Sequence, residues 1–273
     1  MVRRSQSDLT CTHARDADTL SPGVNHMNRR YFLLATALSA GCARGRIHSS
    51  SSRSVAVRTP AIGQSWRYAK RDRITGAMLD TETYQVATIG DSIELTAKSE
   101  ARKGDARSHL NPLALVAPMH RDQPERSLPS EVQQTWGMVL VDPHWSDPQV
   151  FRDPMPMWPQ VLEPGWSTRV HTTYVTADVT DPLPWQLTMH AHEWESVTVP
   201  AGQFKVLRFT NLIDFGSTDR FRRSSRRNET VWFAPQIGRW VARESMGTYY
   251  RDDSVDDQQM QEASYRWELL NWS

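Results

Sequence analysis

Cysteine is almost missing from this chain: its 273 residues include two, Cys11 and Cys42. A fold that depends on several disulfides is therefore excluded. Net charge is equally scarce. Thirty-two basic and thirty-one acidic side chains leave a formal charge of +1, so no global field selects nucleic acid or an acidic surface, and no nucleic-acid partner is expected. Beyond residue 58 no apolar run is long enough to span a bilayer as a helix, and no segment keeps a 3.6-residue apolar stripe. Internal repeats are absent too. Helix bundles and repeat solenoids drop out with these features.

What is present starts at Met27. Asn28-Arg29-Arg30 is a short basic segment, and Tyr31 to Ala40 is an apolar run too short to cross a membrane. Gly41-Cys42 closes it with small residues beside a thiol. Leu38-Ser39-Ala40-Gly41-Cys42 looks like a bacterial lipobox, with Leu one place further back than usual. Residues 27–41 read as a lipoprotein signal peptide and Cys42 as the lipidation site, which makes a lipid bilayer the expected partner. Arg29 and Arg30 also begin R-R-x-F-L, which resembles a twin-arginine motif; the twin-arginine and general export routes both stay open. Residues 1–26 are polar and unpatterned, and read as a non-native extension ahead of the true start. Ala43 follows the cysteine. Resemblance to Gram-negative lipoproteins implies outer-membrane sorting and a periplasm-facing protein. Residues 42–58, rich in Ser and Arg, read as a flexible tether.

Residues 59–273 are long enough for one domain with a sizeable core. Strand signals dominate it. Ile93, Leu95 and Ala97 alternate with Glu94, Thr96 and Lys98, the period of a half-buried strand. Trp166–Thr176 alternates in the same way. Further strands are expected at Trp66–Arg73, Thr81–Thr88, Ser92–Ser99, Val132–Val141, Gln186–Val199, Phe204–Phe215, Glu229–Phe233, Trp240–Tyr250 and Glu262–Asn271. The fold class is mainly β: a single antiparallel, strongly curved sheet or a partly open β-barrel. Nine of the 16 prolines fall between Pro118 and Pro164. Proline lacks a ladder donor, so residues 118–164 read as a long Pro-rich insert, with Asp153–Pro159 as an ordered loop.

Val199-Pro200-Ala201-Gly202 and Ala234-Pro235-Gln236-Ile237-Gly238 fit hairpin turns. If the strands alternate up and down, these turns share one end of the sheet. The Gly216–Asn228 and Arg251–Gln258 segments then share the other, bringing arginines to aspartates at one rim.

The same hairpins carry a family resemblance. Val199-Pro200-Ala201-Gly202-Gln203-Phe204 fits the pattern V-P-A-G-x-F. Trp232-Phe233-Ala234-Pro235-Gln236-Ile237-Gly238-Arg239-Trp240-Val241 fits W-[YF]-x-P-x-[VI]-G-x-x-V. Gly63–Tyr68 and Glu163–Trp166 are similar to that family's opening and central segments. Together they resemble the TapB-like proteins, exported bacterial β-proteins of undefined activity. The resemblance implies a curved, partly open periplasmic barrel and implies no reaction.

Candidate sites are few. Eleven tryptophans are many for this length. Trp66, Trp166, Trp194 and Trp232 could line a cavity for a hydrophobic ligand, although alternating tryptophans also pack barrel cores. Arg220, Arg222, Arg223, Arg226 and Arg227 form a candidate anion site, since guanidinium pairs bidentately with phosphate or carboxylate; a solvated loop is the plainer alternative. His190 and His192 sit two apart on a strand, about 7 Å, with His171 as a conceivable third ligand; a solvated strand face is favoured over a metal. Gly90-Asp91-Ser92-Ile93 imitates the nucleophile block of GDSL-type lipases. The other blocks of that chemistry are missing, and Gly-Asp is an ordinary turn. No catalytic residue and no cofactor is assigned. The sequence reads as a non-catalytic lipoprotein binding a hydrophobic ligand or an envelope partner. A structural or interaction module without a ligand cavity, and a metal-dependent or esterase-like enzyme, are the alternatives.

Overall fold

A computed structural model describes residues 55–101, 126–145, 148–252 and 258–273. The extension, the signal segment with Arg29 and Arg30, Cys42 and most of the tether lie outside the described residues. Fifteen strands and no helix occur among those described. In chain order they are β1 (Val55–Ala56), β2 (Ser65–Asp72), β3 (Met78–Ile89), β4 (Ile93–Ala101), β5 (Arg126–Thr135), β6 (Met138–Asp142), β7 (Gln149–Pro156) and β8 (Val161–Leu162). They continue as β9 (Ser167–Val175), β10 (Leu183–Val199), β11 (Gly202–Phe215), β12 (Arg222–Ala234), β13 (Arg239–Arg251), β14 (Gln259–Gln261) and β15 (Tyr265–Trp272).

Twelve of these strands, all except β1, β8 and β14, form one antiparallel barrel in which neighbours follow chain order. The expected open edge does not exist. β15 pairs with β2 from Tyr265–Asp72 to Trp272–Trp66, and with β13 on its other side. Joining the last strand to the first removes both edges, which is the physical gain of closure. The seam between β7 and β9 is the thinnest, with two residue pairs, Val150–Val175 and Phe151–Tyr174.

The Pro-rich stretch is corrected as well. Its described part is wall rather than insert, since it supplies β5, β6 and β7. The expected strand Val132–Val141 is a hairpin turning at Trp136-Gly137. Gly137 has φ +92°, and a Cβ there would clash with the Trp158 indole. The expected loop at Asp153–Pro159 begins as strand, because Pro154 and Pro156 lie where β7 has left β9 and needs no ladder donors on that side. Val55 and Ala56, at the end of the stretch read as tether, pair with Leu162 and Val161.

Antiparallel order sorts the turns to two ends. The closed end carries the β3–β4, β5–β6, β10–β11 and β12–β13 turns. The other end, the mouth, carries the β2–β3, β6–β7, β9–β10 and β11–β12 connections. At the closed end the Ala234–Gly238 turn is a plug. Its Ile237 carbonyl accepts the Trp66 indole N–H at 3.1 Å, and its Gly238 carbonyl accepts that of Trp136 at 2.8 Å. Trp136 stacks on Trp66 and meets Trp158 edge-on. Gly202, with φ +129°, closes the β10–β11 hairpin, whose Ala201 N–H reaches the Leu269 carbonyl of β15 at 3.0 Å.

Arg239 lies above this plug and is fully buried. Its guanidinium binds both Glu131 oxygens, at 3.1 and 2.6 Å, and is ringed by Trp66, Tyr84, Trp136 and Trp240 at 5.0–5.8 Å. Burial disfavours its charge, but Glu131 outweighs burial and holds the guanidinium protonated. The outer wall, by contrast, carries ion pairs: Arg67–Glu100, Arg208–Glu195, Arg226–Asp214 and Arg266–Glu268. A lipid-facing barrel presents an apolar band there, so this wall suits water.

Removing one partner of a buried ion pair strands the other charge. Glu131→Gln is expected to cost about 3–5 kcal/mol in urea unfolding, while Arg239→Met combined with Glu131→Leu costs clearly less. Equal losses in the two variants would contradict an ion pair that is obligatory only as a pair.

Candidate functional site

The mouth is built by chain that turns into the barrel. After β6, Pro143 and His144 fold inward and are buried. Asp142 Oδ1 accepts the His144 backbone N–H at 3.0 Å and lies 2.5 Å from His144 Nδ1; Oδ2 accepts the Trp145 indole N–H at 3.2 Å. The His144 ring stacks on Tyr84. Burial works against the Asp142 carboxylate, yet His144 and then Arg243 hold it well below the usual range. Burial also pushes the hydroxyls of Tyr68 and Tyr84 far up, so both are neutral donors, to the Trp240 carbonyl and to Glu82 respectively.

A chain of charged groups runs from here to the rim. Arg243 binds Glu229 at 2.7 Å, and Glu229 also accepts from Asn211 at 3.2 Å. The Trp145 ring lies against the guanidinium of Arg227 at 3.6 Å and that of Arg243 at 5.3 Å. Arg227 reaches Glu262 at 3.0 Å, and Arg222 reaches the same carboxylate at 3.4 Å. On the adjoining strands β2, β3 and β15, Lys70 pairs with Glu82 at 3.3 Å, and Trp267 donates to Glu82 at 3.0 Å.

Two volumes matter. Inside the barrel, beside Asp142, Asn211, Glu229 and Arg243, a cavity of about 40 Å³ is bounded on its apolar side by Phe151, Met155, Trp185 and Leu187. That holds a few waters and no drug-sized apolar ligand, which needs several hundred Å³. At the mouth a recess of about 620 Å³ is lined by Lys70, Asp80, Glu82, Arg222, Arg227 and Glu262 among others. A second rim recess of about 800 Å³ passes His171, Trp185 and Tyr250, and its charges Asp214 and Arg226 pair with each other at 2.6 Å.

The four tryptophans read as cavity lining do not converge. Trp66 is buried in the plug, while Trp166, Trp194 and Trp232 are half-buried. Trp232 donates to Glu195 at 2.5 Å and Trp194 lies under Lys205 at 5.5 Å, both among residues of the outer wall. The five arginines also part company. Arg220 lies over Phe221, Arg223 pairs with Asp252 at 2.8 Å, and Arg226 belongs to the outer wall. Only Arg222 and Arg227 share a site, through Glu262. The loop expected at Gly216–Asn228 is strand from Arg222 onward. Asp253, Asp256 and Asp257 lie outside the described residues.

His190 and His192 lie with ring centroids 4.7 Å apart, and a bulge between Ala191 and Trp194 shifts the face. His192 bonds Thr210 at 2.9 Å. His171 pairs with Gln186, four positions along β10 from His190, so it does not join them. No group of three metal-ligating side chains occurs among the described residues. Ser92 sits in the β3–β4 turn, half a barrel away from β10 in strand order. Sequence reasoning missed Glu131, Asp142, His144, Glu229, Arg239 and Arg243. Each is a charged or polar residue at an inward position, where apolar alternation gives no signal.

No family model matches the chain, and no curated protein matches it in sequence. Among solved structures it is similar to a candidate lipoprotein from Parabacteroides distasonis ATCC 8503, with 13% identity, TM-score 0.41, and coverage of 78% of this chain and 96% of that one. It is also similar to a candidate exported protein with a YmcC-like fold from Bacteroides fragilis NCTC 9343, with 13% identity, TM-score 0.45, and coverage of 80% and 100%. Similarity at this level transfers neither activity nor ligand.

Asp142 gives this site a pH signature. Its folded-state pKa lies below the ordinary carboxylate value, so its contribution is complete above about pH 5 and is lost as pH falls through the folded-state pKa. Asp142→Asn is expected to lower the melting temperature at neutral pH and to flatten the loss between about pH 5 and pH 2. Parallel acid limbs in the two proteins would contradict a depressed Asp142.

Proposed function

We propose that the protein is an exported lipoprotein held by acylated Cys42 on the outer membrane, facing the periplasm, and that its barrel is a non-catalytic module for an envelope partner. The observation that carries the binding half is the contrast between the two volumes. The interior leaves about 40 Å³, whereas the charged mouth offers about 620 Å³. A hydrophobic ligand in the lumen has no room; a polar or charged partner at the mouth has both space and ion-pairing groups. The anchor half rests on the order of basic segment, apolar run and Gly41-Cys42. Membership of the TapB-like proteins belongs to the same reading and rests on the two hairpin motifs.

Two measurements test it. Metabolic labelling with radioactive palmitate is expected to mark the protein and to be abolished by Cys42→Ser; unlabelled wild-type protein would overturn the anchor. Photo-crosslinking residues placed at Lys70 and Arg222 are expected to trap a discrete envelope protein in cells, while one at Arg208 on the wall traps none. Crosslinks from the wall alone, or a co-purifying apolar ligand in native mass spectrometry, would overturn the assignment to the mouth.

A further inference from the structure

The closed end differs from the mouth in chemistry as well as shape. Its four tight turns, residues 90–92, 136–137, 200–201 and 235–238, contain one charged side chain, Asp91. Among the described residues five of nine exposed large apolar side chains lie at this end, the others, Ile74, Val150, Phe221 and Met246, lying toward the mouth. Ile62 lies just ahead of β2, Ile89 at the end of β3 and Trp272 at the end of β15; they are 66%, 39% and 39% exposed. Those strand ends are neighbours, because β2 lies between β15 and β3. Val55 and Val161, also exposed, sit on the β1–β8 pair at the same end.

We propose that the closed end is a docking face for a bilayer surface, with Trp272, Ile62 and Ile89 entering the boundary between headgroups and acyl chains. This deepens the lipoprotein reading and rests on it. The occupant follows from where the chain enters. β1 docks on β8 at the closed end, and Cys42 lies thirteen residues before Val55, a span of at most about 45 Å when fully extended. A lipid on Cys42 therefore keeps the membrane within reach of this end. Tryptophan is suited to that boundary, having an apolar body and a polar N–H. The tight turns carry Asp91 as their one charge, with Arg58 and Glu163 exposed on the flanking segments, so the contact is mainly apolar. It should not require anionic lipid and should resist salt. The same orientation turns the charged mouth away from the bilayer, towards a soluble or opposing partner.

The test uses the lipidated full-length protein in phosphatidylcholine vesicles, with and without brominated acyl chains. Brominated lipid is expected to quench part of the tryptophan emission. The quenching should persist at high salt and fall towards zero in Trp272→Phe. Ile62→Ser and Ile89→Ser, both at exposed positions, should each reduce it. Protein that floats with vesicles yet shows no quenching overturns the docking face and leaves the anchor standing. Quenching that Trp272→Phe does not change also overturns it, since another face would then meet the lipid. Protein that does not float at all overturns the anchor reading, and the docking face with it.

Discussion

The Arg239–Glu131 pair is the interaction on which the rest of the barrel depends. A closed barrel widens as strands are added, and at twelve strands the lumen is too broad for ordinary inward aliphatic side chains to meet. This chain fills the space in two ways. It turns two connections inward, Ala234–Gly238 from the closed end and Pro143-His144 from the mouth. It also spans the width with long side chains, Arg239 to Glu131, while Arg243 pairs with Glu229 on the adjacent strand. Neither arginine could be buried alone; each needs a carboxylate from another strand. Glu131 comes from β5 and Arg239 from β13, so the pair ties opposite walls together and fixes where the tryptophan plug sits.

The filled interior leaves a small cavity of about 40 Å³ beside Asp142 and Arg243. With the lumen occupied by paired charges and stacked rings, the larger recesses lie at the mouth. The two ends then differ in chemistry, the mouth ion-rich and roomy, the tight turns of the closed end carrying Asp91 as their one charge. A lipid anchor joined at the closed end would give each end its own neighbour.

Much of the wall was legible in the sequence, because period-2 alternation is strong where one face is apolar. β4 and β9 follow the expected boundaries closely, and the two hairpin turns fall where proline and glycine place them. The site was not legible. Glu229 and Arg243 fell in expected strands with nothing to mark them as inward, and Arg227, also inward, fell in a stretch that hydrophobic patterning reads as loop. The first half of β12 was hidden for that reason. β7 was hidden for another: its prolines argue against a central strand, and nothing local reveals that β9 diverges there. Closure itself was unreadable, since pairing between residues near 68 and 269 is a property of the assembled wall rather than of either strand. The tryptophan reading erred in direction. Trp66 packs the core, but Trp194 and Trp232 cover the outer wall beside Lys205, Glu195 and Arg208.

The most direct test of this account is nitrogen NMR of the arginine side chains. The account predicts that Arg239 gives resolved Nη signals with hindered rotation and slow solvent exchange, and that they collapse in Glu131→Gln. A single, averaged, rapidly exchanging Arg239 signal would contradict a barrel held together across its interior by that pair.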